Sequence, residues 1–586
     1  MPEAGVSVDA DVEVRPGLHA CEAVVKVDRP RLWWPVGHGE QALYELRASL
    51  EIDGKEIGCR QASVGFRRVQ FDQAPHPDRG RYFNLEVNGR KIFVKGSNFV
   101  PADMIFARID RARYETLTNL ALESNFNFLR VWGGGLYEAD AFYEMCDAKG
   151  LLVWQEFIFA CSRYPTTDQA FYEDVQREAT WNVRRLASHP SLIAWCGNNE
   201  IEWGDWDWDY GRTGVIMPDH AFFHITLPRL VAREDPTRYY QPSSPFSPDR
   251  MPPNSDHAGD QHPWSIGFFA NDFRKYREMT CRFASEGGIL GPTSLLTMRA
   301  CLPEPAQQTV LSFAWQVHDN SVATWTEPSA PDEMIRQWVG KEPRELSIEQ
   351  FAYWAGLVQG EGLREYVENF RRRMFDSGAA IFWMFNDCWP ATRSWTTVDY
   401  HLRRTPAFHA VRRAMAPIHL VVAQDAEEIV VFGINDTTAP VAGELAYGVM
   451  NLTGGRPYER RERVTLPPDA STRLASFPAT AWPRPNESAA FAVLSGTDGR
   501  AIARNRLFLP MFREMTWPAP DVDVVVKDGR AAFRSRTFAL GVCLDLDGTR
   551  TLSDNFFDVF PGEPHVIPWP DPHPPRILFT GNLAVG

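Results

Sequence analysis

From Arg90 to about residue 416, short runs with strand character alternate with amphipathic stretches of helical period, roughly eight times over. The runs are Ile92–Val94, Phe126–Trp132, Leu151–Phe157, Leu192–Cys196, Tyr239–Pro242, Gly259–His262, Arg282–Ser285 and Ala380–Phe385. Between them, Phe171, Val175, Ala179, Val183 and Leu186 recur at spacings of three and four, as do Tyr366, Phe370 and Met374. Strands separated by helices must pair in parallel, and about eight such repeats predict a (β/α)8 TIM barrel over residues 91–416. An open doubly wound sheet is the competing arrangement. Its dinucleotide fingerprint is missing, because Gly37-His38-Gly39-Glu40-Gln41-Ala42 runs into an alternating strand rather than a helix.

The flanks follow a different period. Tyr44, Leu46, Ala48, Leu50 and Ile52 alternate with polar residues up to an Asp53-Gly54 turn, and a second strand pattern covers Val64–Phe71. Residues 1–90 therefore read as an immunoglobulin-like β-sandwich whose first ten residues are a tail. Beyond Pro417, Ile429–Ile434, Glu444–Val449, Arg463–Leu466 and Phe491–Leu494 are strand-like, which predicts a second immunoglobulin-like β-sandwich over 417–516. The linker Trp517-Pro518-Ala519-Pro520 opens a last β-sandwich domain, 517–586. The fold class expected is multidomain α/β plus all-β, a barrel flanked by sandwiches.

Composition narrows the partners. With 61 Lys and Arg against 75 Asp and Glu the net charge is −14, which argues against a nucleic-acid or anionic-membrane surface. Nine cysteines, odd in number and without a CxxC pair, predict free thiols in a reducing compartment rather than a disulfide framework or a zinc site. There is no basic stretch followed by an apolar run at the start and no apolar run of about 18 residues. A cytoplasmic protein is expected, although a truncated start would also remove a leader. Twenty tryptophans suit either packing or stacking against sugar rings.

In a barrel the reactive groups sit at the C-terminal ends of the strands. The fourth predicted strand ends Gly197-Asn198-Asn199-Glu200 and the seventh Ala284-Ser285-Glu286-Gly287-Gly288. Two carboxylates facing across the mouth are what a retaining glycosidase uses, one as acid and one as nucleophile. A single Glu near a strand end is usually solvated, so the pair alone leaves that chemistry beside other readings. No HExxH, metal-spaced Cys/His cluster, phosphate loop or serine nucleophile elbow occurs, so neither a metal nor a cofactor is expected.

Several segments closely resemble the β-mannosidases of glycoside hydrolase family 2. They are Gly96-Ser97-Asn98-Phe99-Val100-Pro101-Ala102-Asp103, Leu129–Gly135, Trp195–Glu200, Gly259-Asp260-Gln261-His262-Pro263-Trp264, Ala284-Ser285-Glu286 and Asn386-Asp387-Cys388-Trp389-Pro390. Trp33-Trp34-Pro35-Val36-Gly37 and Ser553-Asp554-Asn555-Phe556-Phe557-Asp558 extend the resemblance to both flanks. The resemblance implies Glu200 as general acid/base, Glu286 as nucleophile and Asn199 as partner of the sugar 2-hydroxyl. It places Arg130 beside Glu286, Trp132, Trp264 and Trp389 around the pocket, and Asp387, Asp103 and His262 as polar contacts. For His262 a buried, satisfied ring is an equal reading. Glu156 is well placed but otherwise unremarked, and Glu202 reads as solvated.

The implied substrates are carbohydrates: terminal β-mannosides of manno-oligosaccharides or glycans. Two departures stand out. Gly287-Gly288 follows the nucleophile position where those enzymes usually carry an aromatic residue, so a looser wall is expected. The family also begins with a jelly-roll domain of roughly 200 residues, and this chain starts in what resembles the second domain, so a separate N-terminal domain partner is a further expectation. The rivals are another family 2 exo-β-glycosidase, of glucuronidase, galactosidase or glucosaminidase type, and a non-catalytic or partner-dependent carbohydrate-binding protein.

Overall fold

A computed structural model describes residues 1–586 apart from 14–15, 18–20, 209–217, 268–269, 305–306, 321–329 and 583–586. The protein is multidomain, α/β in its middle and all-β after it. Strands β1 (Tyr44–Ile52) and β2 (Lys55–Val64) form an antiparallel hairpin. Its turn, Asp53-Gly54, has φ of 51° and 75°, the left-handed pair that suits the twist of a two-residue hairpin loop.

β3 (Val69–Asp72), β4 (Asn84–Val87) and β5 (Arg90–Ile92) make a separate antiparallel sheet in that order. Among the described residues of 1–90, the named strands therefore fall into two separate antiparallel sheets. The pattern through Val64–Phe71 splits between β2 and β3, and β3–β5 turns toward the middle of the molecule. Phe83, Leu85, Val87 and Ile92 are buried with Phe128, Leu152, Trp154, Ile193, Phe283, Ala379 and Ile381. Alternation identified strands here but carried no information on which apolar surface they would cover.

The central sheet is six-stranded and parallel. Its members are β6 (Val94–Phe99), β7 (Phe128–Val131), β8 (Leu152–Glu156), β9 (Leu192–Cys196), β10 (Tyr239–Gln241) and the Ala379–Phe382 strand. The order is β10-β9-β8-β7-β6 and then Ala379–Phe382. From its Ala379–Phe382 edge the sheet continues through two parallel bridges, Ala284↔Ala380 and Gln261↔Ala284, and on the β10 side Gln241 Nε2 donates to Asp260 Oδ1. Gly259–His262 and Arg282–Ser285, read as strands, are therefore only bridge points. Their polar side chains take over the backbone partners: Gln261 Nε2 donates to the carbonyls of Ser255 and Ala258, and its Oε1 accepts from Phe283 N.

Helices follow the strands and cover the sheet. Arg111–Glu123 and Gln169–Leu186 are N-capped by the carboxylates of Asp110 and Asp168. Ile348–Arg371 starts with a Ser347/Gln350 capping box and is buried along nearly its whole length. That helix also carries Glu361, Arg364 and Glu368, whose partners reach it from later domains. Arg506 pairs with both Glu361 and Asp558, and Asn505 donates to Glu368.

After residue 417, a three-stranded and a four-stranded antiparallel sheet enclose a core of Leu420, Ile429, Val431, Tyr447, Phe477 and Leu494. The last β-rich unit packs Phe533, Phe557, Val559 and Trp569 together. Among the described residues no helix is long and apolar enough to cross a membrane.

Candidate active site

Strand period two and the loops that follow the strands bring the polar residues together. On β7, Arg130 is flanked by the buried Leu129 and Val131, and its side chain is 1% exposed. Glu156 ends β8 and is also buried. After β9 the chain turns through Gly197-Asn198-Asn199 and places Glu200 in the left-handed region, φ 63°, at the start of the Ile201–Asp207 helix. Asn198 braces that turn: its Oδ1 accepts from Ile201 N at 3.0 Å and from Ser243 Oγ at 2.7 Å.

Arg130 is the hub. Its Nη1 donates to Glu286 Oε1 at 2.5 Å and to Asn98 Oδ1. Its Nη2 donates to Glu156 Oε1 at 2.7 Å and to Asn199 Oδ1 at 2.7 Å. Glu286 receives a further hydrogen bond on Oε2 from the Trp264 indole N–H, 3.1 Å. One oxygen each of Glu200 and Glu286 and one nitrogen of His262 all lie within 4.8 Å of one another. His262 Nδ1 is 2.6 Å from Glu200 Oε1 and 3.5 Å from Glu286 Oε2. Glu200 Oε2 is 3.4 Å from the Cys161 thiol, to which Asn199 Nδ2 donates at 3.3 Å.

The two carboxyls differ in electrostatic surroundings. Burial, followed by the neighbouring charge of Glu286, pushes Glu200 well above the usual carboxylate range. Burial also raises Glu286, but Arg130 and the Trp264 N–H pull it back. Both are raised by burial, and Glu200, which lacks a cationic partner of its own, is raised the further. Glu156 is pushed up to about 7 by burial, against the pull of Arg130 and the Gly133 N–H. His262 is held neutral by burial and by the positive Arg130.

Of the sequence-predicted residues, Glu200, Glu286, Arg130, Asn199, His262 and Trp264 meet directly. Trp132 stands beside them in one apolar cluster with Trp264, Val100, Leu290, Trp383 and Trp395. The other three are engaged elsewhere. Asp103 accepts from Tyr400 OH at 2.7 Å and from Ile105 N at 2.8 Å. Asp387, pushed up to about 7 by burial, accepts from Ser394 Oγ and Thr396 Oγ1. Trp389 is 46% exposed and stacks on His318 at 5.6 Å.

Two expectations are reversed. Glu202 is buried rather than solvated and pairs with His224. Gly287-Gly288 does not loosen the wall. A Cβ at Gly288 would lie 2.1 Å from the Trp383 carbonyl oxygen, and Gly287, at φ 133°, would bring one 2.9 Å from the Tyr366 ring. The Tyr366 and Pro263 side chains at Gly287, and the Trp383 backbone at Gly288, already occupy the space a larger side chain would need. Cys161, Ser244 and Asp260 join the network unannounced, since single loop residues carry no periodic signal.

Glu200, His262 and Glu286 have the spacing of a metal site. Their donor atoms are already engaged with one another, with Trp264 and with Arg130, whose fixed positive charge opposes a cation. Two close carboxyls in unequal surroundings beside indole faces can instead perform nucleophilic displacement with acid assistance on a sugar acetal.

Residues 3–67 match the family model for glycosyl hydrolases family 2, and residues 427–514 match the mannosidase Ig/CBM-like domain. Beta-mannosidase B of Aspergillus niger is 28% identical over 604 residues, 95% of this chain and 69% of the relative. That of Thermothelomyces thermophilus is 33% identical over 433 residues, covering 68% of this chain and 48% of the relative. Among solved structures, the β-D-mannosidase of Dictyoglomus thermophilum superposes with a TM-score of 0.87 at 30% identity, over 94% of this chain and 67% of that one. The exo-chitosanase of Amycolatopsis orientalis, at 17% identity and a TM-score of 0.70, covers 93% of this chain and 68% of its own and shares the fold.

Proposed function

The chain belongs to glycoside hydrolase family 2 as a β-mannosidase, and on that premise we propose that it releases terminal non-reducing β-D-mannose by double displacement on Glu286 and Glu200. The observation that carries this reading is the close approach of the two carboxyls, one oxygen of each within 4.8 Å of the other's, in unequal surroundings; that is short of the roughly 6.5–9.5 Å that inverting enzymes keep open for water. Glu286, held ionised by Arg130, attacks the anomeric carbon. Glu200 gives its proton to the departing oxygen, and a glycosyl ester on Glu286 results. Glu200 then takes a proton from water, the resulting hydroxide displaces Glu286, and mannose leaves with its configuration retained.

Asn199 is suited to the 2-hydroxyl. Arg130 occupies its carbonyl oxygen, and its amide donates to a weakly accepting thiol that a sugar hydroxyl outcompetes. Trp132 and Trp264 wall the sugar. Asp103, Asp387 and Trp389 act further out, by shaping the loops that approach the mouth. The bridges that carry the sheet on from Ala380 through Ala284 to Gln261, with the Gln241–Asp260 hydrogen bond at β10, support reading residues 91–416 as a (β/α)8 barrel with the site at the C-terminal ends of its strands.

Turnover of a panel of nitrophenyl β-glycosides tests the substrate. The mannoside is expected to exceed the galactoside, glucuronide and glucosaminide in kcat/KM, and a mannoside among the worst of the panel overturns the reading. Glu200→Ala should still glycosylate on an activated aryl mannoside, stall at the second step and be rescued by azide as β-mannosyl azide. Rescue with the opposite anomeric outcome would exchange the two roles.

A further inference from the structure

One buried acid at the site takes no part in either displacement. Asp260 is fully buried and accepts four hydrogen bonds. Gln241 Nε2 and Phe246 N (2.9 Å) donate to its Oδ1, and Ser244 Oγ (2.5 Å) and Ser285 Oγ (2.7 Å) to its Oδ2. Four donors on two oxygens is the pattern of a carboxylate, which only accepts.

Ser244 has one proton to give, and at 2.5 Å that proton is committed to Asp260. The same hydroxyl oxygen lies 3.2 Å from His262 Nε2, so it offers the ring a lone pair. The neutral imidazole carries a single N–H, which this arrangement puts on Nε2. Nδ1 then presents its own lone pair to Glu200 Oε1 at 2.6 Å. Two lone pairs do not approach that closely, so the proton between them belongs to Glu200.

We propose that Asp260 and Ser244 are positioning residues that fix His262 as its Nε2–H tautomer and, through it, keep the acid proton on Glu200 between turnovers. The inference rests on the reading of Glu200 as the acid/base. It adds a consequence for the second step: once Glu200 has given its proton away, its carboxylate faces a lone pair, which strengthens it as the base that takes a proton from water. The other groups facing this pair are Glu286, 3.5 Å from Nδ1, and the Cys161 thiol on Glu200 Oε2. Arg130 lies beyond Glu286, with Glu156 on its opposite side. None of these changes in the variants below.

Asp260→Asn reverses the chain. The amide oxygen must occupy the Oδ1 position, where Gln241 and Phe246 both donate, so the new NH2 faces Ser244 and Ser285. Ser244 then turns its proton to Nε2, the ring proton moves to Nδ1, and Glu200 is favoured as the anion. The basic limb of kcat/KM, measured on a mannoside with a poor leaving group, should move down by about one pH unit or more. A dinitrophenyl mannoside, which needs little acid, should lose far less activity at the same pH. Ser244→Ala should move the limb the same way by less and carries the test if Asp260→Asn does not fold. Glu200→Ala should erase the limb. A limb that survives Glu200→Ala overturns the acid assignment and this inference with it. A limb that Glu200→Ala erases but that stays in place in both relay variants leaves the assignment standing and overturns the relay alone.

Discussion

The two ends of the parallel sheet are built from the same strands and do opposite work. At the N-terminal end, β3–β5 lays Phe83, Leu85, Val87 and Ile92 into an apolar cluster with residues of the strands. At the C-terminal end, on the strands or in the turns just after them, Arg130, Glu156, Glu200, Asp260, His262 and Glu286 are buried. The apolar floor is worth roughly 1.5–3 kcal/mol per fully buried large side chain. The mouth gives up some of that by taking charges out of water, and it holds only because nearly every charge has a partner. Stability and chemistry are thus separated along the strand axis rather than between domains.

The sharpest break comes at the mouth. Glu286→Gly should lower kcat by about four orders of magnitude or more while circular dichroism stays native, and azide should not restore a retained product. Next comes the floor. Leu85→Ala should cost about 2–5 kcal/mol in denaturant unfolding, with kcat/KM of the folded fraction within about twofold of wild type. A comparable loss of kcat/KM would show that floor and mouth are coupled.

The smallest effect is a difference in pH dependence. In the fold Glu200 titrates above its ordinary 4.5, so its contribution to stability is complete below that pH and is lost as pH rises toward the folded value. The melting temperature of wild type should therefore fall relative to Glu200→Gln as pH rises above 4.5, by a few degrees at most. The Leu85→Ala deficit, by contrast, should change little between about pH 4.5 and 7, because the cluster that buries Leu85 is apolar.

What the sequence made legible follows from the same division. Leu192–Cys196 was bounded to the residue, since an apolar run between Pro190 and Gly197 has no other use. Gly259–His262 and Arg282–Ser285 were located but misjudged as strands, because Gln261 satisfies by side chain the groups that a ladder would have paired. Glu200 and Glu286 were visible as acids at strand ends. Ser244 and Asp260 were not, because their importance lies in which proton points which way, a property of three-dimensional pairing that spacing does not encode. Asp103, Asp387 and Trp389 stood at equally suggestive positions and are tied to Tyr400, Ser394 and His318. Position at a strand end selects candidates, and only the facing side chains rank them.

The helix Ile348–Arg371 sets a limit on how this protein can be taken apart. Glu361 is buried and Arg364 half-buried on it, and Arg506 and Asp558, which complete their network, belong to the β-rich units that follow. A chain cut near residue 416 would leave Glu361 without Arg506 and the helix with an uncovered ionic face, a loss of about 3–5 kcal/mol for each broken buried pair. The β-rich units are therefore not detachable modules to be trimmed or exchanged. Proteolysis at the seams should release no stable central fragment, and recombination with related enzymes would need its crossover points placed so that Glu361, Arg364, Arg506 and Asp558 are inherited together.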